Sequence, residues 1–179
     1  MLKRIAVMLL VVLSLSLQGC VSATAALKSY VDSYDGYQFL YPTAWVPVKV
    51  EDGPDIVLHD MIEPSENVSV VINPVPEGKT LQDLGTPSEV GYRLSKNAIA
   101  PPDSGRTAEL LSAESRQDGA VTYYMLEYAV HLPDQERRNL ASVAIRRGQL
   151  YTLNVSTTER RWEKLGATLR EVANSFEVY

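Results

Sequence analysis

Two glycine-centred turns constrain this chain more than any other feature. Asp118-Gly119 separates residues 110–117 from 120–132, and Arg147-Gly148 separates 140–146 from 149–157. Asp-Gly between two β-rich runs is a strong hairpin signal, because tight hairpin turns need backbone conformations with positive φ. Four consecutive strands joined in this way predict an antiparallel sheet. The strands do not alternate cleanly: Tyr123-Tyr124-Met125-Leu126 and Val143-Ala144-Ile145 put apolar groups on both faces, and Tyr151, Leu153 and Val155 add to them. A sheet covered on both sides accounts for that pattern.

The cover has to come from helices, and two carry clear signals. Thr86-Pro87-Ser88-Glu89 places Thr at the N-cap, Pro at the first helical position and Glu at the third, a capping box with its expected proline. Val90, Leu94 and Ala98 then recur along one face, which predicts a helix over 87–97 that Pro101-Pro102 forbids from continuing. Trp162, Leu165, Leu169, Val172 and Phe176 form a second apolar stripe, predicting a helix over 159–175. Shorter strands are predicted at 37–41, 46–50, 55–58 and 68–72, punctuated by Pro42, Gly53-Pro54, Pro64 and Pro74-Val75-Pro76. The fold expected is α+β, a three-layer α-β-α sandwich around an antiparallel sheet.

The N-terminus reads as an export signal. Lys3 and Arg4 precede an apolar run over 5–17, followed by Leu17-Gln18-Gly19-Cys20, a lipobox. That run is shorter than the ~20 residues a bilayer-spanning helix needs. Residues 1–19 are therefore expected to be a lipoprotein signal peptide, 20–33 a lipidated tether and 34–179 a single domain. Two or three acyl chains on Cys20 would anchor stably, since each buried methylene contributes about 0.8 kcal/mol. Cys20 is the sole cysteine, so the mature chain has no thiol left for a disulfide, a nucleophile or a metal. Loss of Lys3 and Arg4 takes the formal net charge from −5 to −7, which disfavours nucleic acid as a partner. Lipid, not surface charge, makes the membrane contact.

Few residues offer chemistry. The two histidines give two His-carboxylate pairs, His59 with Asp60 and His131 with Asp134, whose ligand types suit zinc. Tyr123, Tyr124, Tyr128 and Tyr151 lie on strands and are expected in the core, as are Trp45 and Trp162. Three arginine pairs stand out on an acidic chain: Arg137-Arg138, Arg146-Arg147 and Arg160-Arg161. A two-residue turn at Arg147-Gly148 sets Arg138 beside Thr157, bringing Arg137, Arg138, Arg160 and Arg161 to one end of the hairpin. Arg146 and Arg147 lie about 27 Å away at the turn. Such a cluster is expected either to dock a carboxylate-rich partner or to be solvated and paired with Glu136, Glu159 or Glu163.

Three segments in order, Gly36-Tyr-Gln-Phe-Leu-Tyr-Pro-Thr-Ala-Trp45, Leu84-Gly-Thr-Pro-Ser-Glu-Val-Gly-Tyr92 and Gly148-Gln-Leu-Tyr-Thr-Leu-Asn-Val-Ser-Thr-Thr-Glu-Arg-Arg-Trp162, resemble the PsbP family, in its cyanobacterial lipoprotein branch. The resemblance runs from about Tyr34 to Tyr179. It implies an α-β-α sandwich on the lumenal side of the thylakoid membrane, a non-catalytic binding protein that supports the assembly, stability or oxygen-evolving function of photosystem II. The partners implied are photosystem II core subunits or assembly intermediates. In plant members an N-terminal extension helps retain calcium and chloride; here the segment from Cys20 to Tyr34 is short and tethered, which argues against that role. No tightly bound cofactor is expected, and calcium or zinc are the metals to consider. The competing readings are an envelope lipoprotein that binds a small ligand or metal ion, and a hydrolase with an unrecognised site.

Overall fold

The structure, a computed structural model, describes residues 27–179. The segment expected to be a signal peptide with its lipobox, and Cys20, fall outside them. Ten strands and two helices follow in chain order: β1 (Leu27–Asp32), β2 (Tyr37–Pro42), β3 (Trp45–Val48), β4 (Ile56–Asp60), β5 (Asn67–Pro74), α1 (Pro87–Leu94), β6 (Thr107–Asp118), β7 (Val121–His131), β8 (Glu136–Arg146), β9 (Gln149–Thr158), α2 (Glu159–Asn174) and β10 (Glu177–Val178). A seven-stranded sheet runs β3-β4-β5-β9-β8-β7-β6, and β1-β2-β10 form a small second sheet. Every pairing is antiparallel.

The β8–β9 hairpin has the expected register, with Arg146 opposite Gln149 and Arg138 opposite Thr157. Arg147 and Gly148 both have positive φ (50° and 72°), as a type I′ turn requires. The preceding hairpin is shifted by one residue from expectation. Asp118 pairs with Val121, so Gly119-Ala120 make the turn, and Gly119 at φ 53° takes the first central position as a II′ turn demands. A register shift between Leu110 and Ser112 leaves Leu111 unpaired, a bulge that puts this large apolar side chain partly in solvent.

The capping box predicted at Thr86 is present: Glu89 N–H donates to Thr86 Oγ1 (3.3 Å) and Thr86 N–H to Glu89 Oε2 (2.8 Å). The α-helix stops earlier than predicted, at Leu94. It continues as a π turn over Ser95–Ile99, closed by Ala100 N–H donating to Ser95 O at 2.8 Å. This wider turn seats Ile99 against the sheet before the two prolines.

Both sheet faces of β7 are indeed buried. Tyr124, Leu126, Tyr128 and Val130 pack with Leu81, Val90 and Ile99 on the α1 side. Tyr123 packs with Phe176, Leu169 and Val172 on the α2 side, where the small sheet adds Tyr37, Phe39 and Val178. The small sheet corrects the expected tether, which was to extend through Ser33. Residues 27–32 form β1, zipped to β2 from Leu27 opposite Pro42 to Asp32 opposite Tyr37, with Leu27 and Tyr30 packed on the core. The domain therefore begins at Leu27 or before it.

Candidate functional site: a polar groove beside helix α1

Helix α1 covers only part of its sheet face. Tyr124 Oη donates to Gly85 O (2.8 Å) and Tyr128 Oη to Gly91 O (3.0 Å), pinning the cap and the helix over β7. Beyond β7 the same face, over β8, β9 and β5, carries no helix. It forms an open groove of about 490 Å³.

The groove exists because two strands alternate strictly. On β9, Tyr151, Leu153 and Val155 enter the α2-side core, while Thr152, Asn154 and Ser156 line the groove. On β5, Val68 and Val70 go inward, while Asn67, Ser69, Val71 and Asn73 face the groove. Asn139 of β8 extends this floor of amides and hydroxyls, and Leu94, Ala98 and Ile99 make one wall. The expectation of apolar residues on both faces holds for β7 and fails for β9, and β5 shares the polar face of β9. Their polar alternate positions were the available signal of an uncovered half-face.

The lining contains no carboxylate, imidazole or thiol; its charged groups are Arg106 and Arg137, both at one end. Arg137 is 8 % exposed. Its Nε and Nη2 donate to Ser156 Oγ (3.1 and 2.8 Å), and Nη2 also reaches Ser65 O. Burial lowers its pKa, with Glu66 and Glu63 opposing; a guanidinium nevertheless stays protonated in water, so the groove ends on a fixed positive charge. Arrays of this kind can hydrogen-bond an extended backbone and seat an acidic group, but the lining supplies no carboxylate or imidazole to act as a general base toward its hydroxyls.

The other predicted arginines do not share a surface with Arg137. Neighbours on a strand point to opposite faces, so Arg138 lies on the α2 side. There Nε and Nη2 fork onto Glu159 (2.9 and 2.6 Å), Nη1 meets Glu127 (2.7 Å), and the group sits 5.3 Å from the Trp162 ring. The bond from Arg138 holds the Glu159 carboxyl below its ordinary range and raises the guanidinium. Arg161 Nε lies 2.6 Å from Glu66 Oε1, out of line for a full hydrogen bond. Arg160 is exposed, with no carboxylate in ion-pair range among the described residues. The four arginines do gather at one end of the hairpin, yet three of the four side chains are held within the fold.

Glu66, 1 % exposed, accepts from Thr157 Oγ1 (2.7 Å) as well. Burial raises its pKa, although Thr157 and Arg161 pull the other way.

The histidine pairs do not assemble as ligand sets. His59 and Asp60 are successive residues of β4 and so face opposite sides. Asp60 Oδ1 already accepts the N–H groups of Ile62 and Glu63, each at 2.8 Å. His131 Nδ1 meets Glu136 across the β7–β8 turn, a different acid from the expected Asp134. Among the described residues the one cluster with metal-ligand spacing is Asp32, Asp35 and Asp55, whose oxygens lie within 4.8 Å of one another. Oxygen-only donors suit a hard cation better than zinc. Burial, then Asp55 and Asp32, raise the Asp35 pKa, while Asp55 also takes the Tyr37 hydroxyl. The sequence reading missed this trio because the packing of the two sheets on each other, not sequence spacing, brings Asp55 to Asp32 and Asp35.

Comparison with known proteins places these features in context. The family model described as PsbP matches residues 25–178. CyanoP of Thermosynechococcus vestitus is 51% identical over 100% of both chains. PsbP-like protein 1 of Arabidopsis thaliana is 38% identical, covering 82% of this chain and 62% of its own length. The solution structure of CyanoP from Synechocystis superposes with a TM-score of 0.75 at 44% identity, covering 92% of this chain and 99% of that one.

Proposed function

The chain belongs to the PsbP family, and from that membership we propose that it is a photosystem II accessory protein, held on the lumenal side of the thylakoid membrane by lipid on Cys20. In this reading it acts by binding, without catalysis, during assembly or stabilisation of the complex. The observation that carries the binding role is the groove: amide and hydroxyl side chains from three strands, a basic end at Arg106 and Arg137, and no general base in its lining. Such a surface fits an extended, carboxylate-bearing segment of a photosystem II subunit. Electrostatic complementarity with an acidic segment would fix its direction along the groove.

Affinity isolation of the tagged lipoprotein from detergent-solubilised thylakoid membranes tests this. Photosystem II subunits should come with the wild type and with Ser29→Tyr, a bulky change at an exposed position on β1. They should be lost with Asn154→Tyr, which fills the groove floor. Recovery of no photosystem II subunit by the wild type would sink the association, and equal recovery by all three would sink the groove as its site. A volume near 490 Å³ also falls in the range of small-ligand pockets. Copurification of a small molecule in place of subunits would favour that second reading.

A further inference from the structure

Two strand pairings put one end of the molecule close to where the chain leaves the described residues. Leu27 pairs with Pro42. Only Thr43 and Ala44 separate Pro42 from Trp45, which pairs with Asp60 at the base of the β4–β5 loop. Six residues lie between Cys20 and Leu27, a span of about 25 Å at full stretch. If Cys20 carries the anchor, as the reading above has it, this end cannot leave the membrane surface by more than that.

At the tip of the β4–β5 loop stand Met61 and Ile62, 67% and 90% exposed. Two adjacent large apolar side chains this bare are unusual on a loop that is otherwise tightly tied. Asp60 Oδ1 holds the N–H groups of Ile62 and Glu63, Asp60 N–H donates to Glu66 O (3.0 Å), and Glu66 N–H donates to Glu63 O (2.9 Å). The loop therefore presents the pair in a fixed position. Arg160, next to the Arg161 that meets Glu66, and Lys28, the second residue of β1, are exposed cations at the same end. Apolar tips flanked by cations match the layering of a lipid interface.

We propose that Met61 and Ile62 dip into the membrane that carries the acyl anchor. The domain then stands on this end, and the groove, whose Arg106 and Arg137 end is the same one, opens toward the lipid surface. A partner segment emerging from the bilayer would enter the groove at its basic end.

The test uses the full lipidated chain in phosphatidylcholine and phosphatidylglycerol vesicles, with Ile62→Cys or Tyr34→Cys carrying an environment-sensitive fluorophore. Tyr34 is 94% exposed in the turn between β1 and β2, at the opposite end, so it controls for insertion driven by the dye. The expected result is a shift to shorter emission wavelength and quenching by lipid-borne nitroxides at position 62, with neither at 34. Flotation with the vesicles reports the anchor separately. A chain that floats while position 62 stays as wet as position 34 overturns the inference and leaves the anchor standing; a chain that does not float overturns both.

Discussion

The guanidinium of Arg138, in β8, grips the carboxylate of Glu159, the first residue of α2, through two parallel hydrogen bonds of 2.9 and 2.6 Å. Its remaining edge meets Glu127 on β7, which also accepts from Arg170 of the same helix at 2.8 Å. One arginine thus ties two strands to the start of the covering helix. The side chains of Arg138 and Glu127 are 18% and 13% exposed.

Charge reversal here is therefore expected to damage the fold, against the view that arginines at this end are free for docking. Arg138→Glu should cost roughly 2–4 kcal/mol, since it leaves two carboxylates facing a third in a partly desolvated site. Arg160→Glu should stay within about 0.5 kcal/mol, as exposed substitutions usually do. Urea midpoints for the two variants check this, and equal midpoints would remove Arg138 from the frame of the fold.

A second expectation concerns pH. Burial lifts the Glu66 carboxyl above its unfolded value, so the folded state binds the extra proton between the two. The contribution of this group is full below the unfolded pKa of about 4.3 and is lost as pH rises through the folded one. Glu159, held down by Arg138, acts with the opposite sign, losing its contribution as pH falls below that range. The difference in unfolding free energy between wild type and Glu66→Gln isolates the first effect. It should fall with rising pH from about 4.3 upward; a flat difference would show that burial does not perturb this carboxyl.

Much of this was legible in residues whose local chemistry admits one outcome. Thr86 and Glu89 cap because their side chains reach each other's N–H groups, and Gly148 turns because it accepts positive φ. The neighbouring turn was misplaced by one residue because an Asp-Gly pair was read as the two central residues, whereas Gly119 takes the first of them, as a II′ turn allows. Strand β1 was taken for tether because LKSYVD shows no alternation; its order comes from β2, a non-local cause. The split of Arg137 from Arg138 could have been read from strand alternation, whereas the ion pairs could not, since they join strands to a helix distant in sequence. The groove was written in β5 and β9 as mostly polar residues at alternate positions, Val71 excepted, but whether that face is covered depends on α1 stopping over β7, which those strands cannot tell.

A third expectation follows from the way β7 holds α1. Tyr128 is fully buried, and its hydroxyl donates to Gly91 O at 3.0 Å; burial also raises its pKa. Tyr128→Phe should cost about 1 kcal/mol, the net worth of one such bond. Thr86→Ala should cost a similar amount, roughly 1 kcal/mol, by opening the capping box. The two sites share the helix, so the double variant should depart from additivity. Thermal melts of both singles and the double check this, and an unchanged midpoint in each single would mean that α1 is held by its apolar contacts alone.

The last expectation concerns the anchor. No helix among the described residues is long and apolar enough to cross a membrane, and with Lys3 and Arg4 removed the formal net charge falls from −5 to −7. An acidic body gains nothing from anionic headgroups, and two apolar side chains at a loop tip are far too few to hold a domain of this size without acyl chains. Cys20→Ser should therefore leave a folded domain that moves from the membrane pellet to the soluble fraction, before any salt is added. Salt sensitivity separates the causes. Screening shortens to roughly 3 Å at 1 M ionic strength, so retention by charge would be stripped by salt and retention by acyl chains would not. Wild type should stay in the pellet through the wash. A serine variant that also stays there, with or without salt, would mean that protein contacts rather than lipid on Cys20 hold the chain at the membrane.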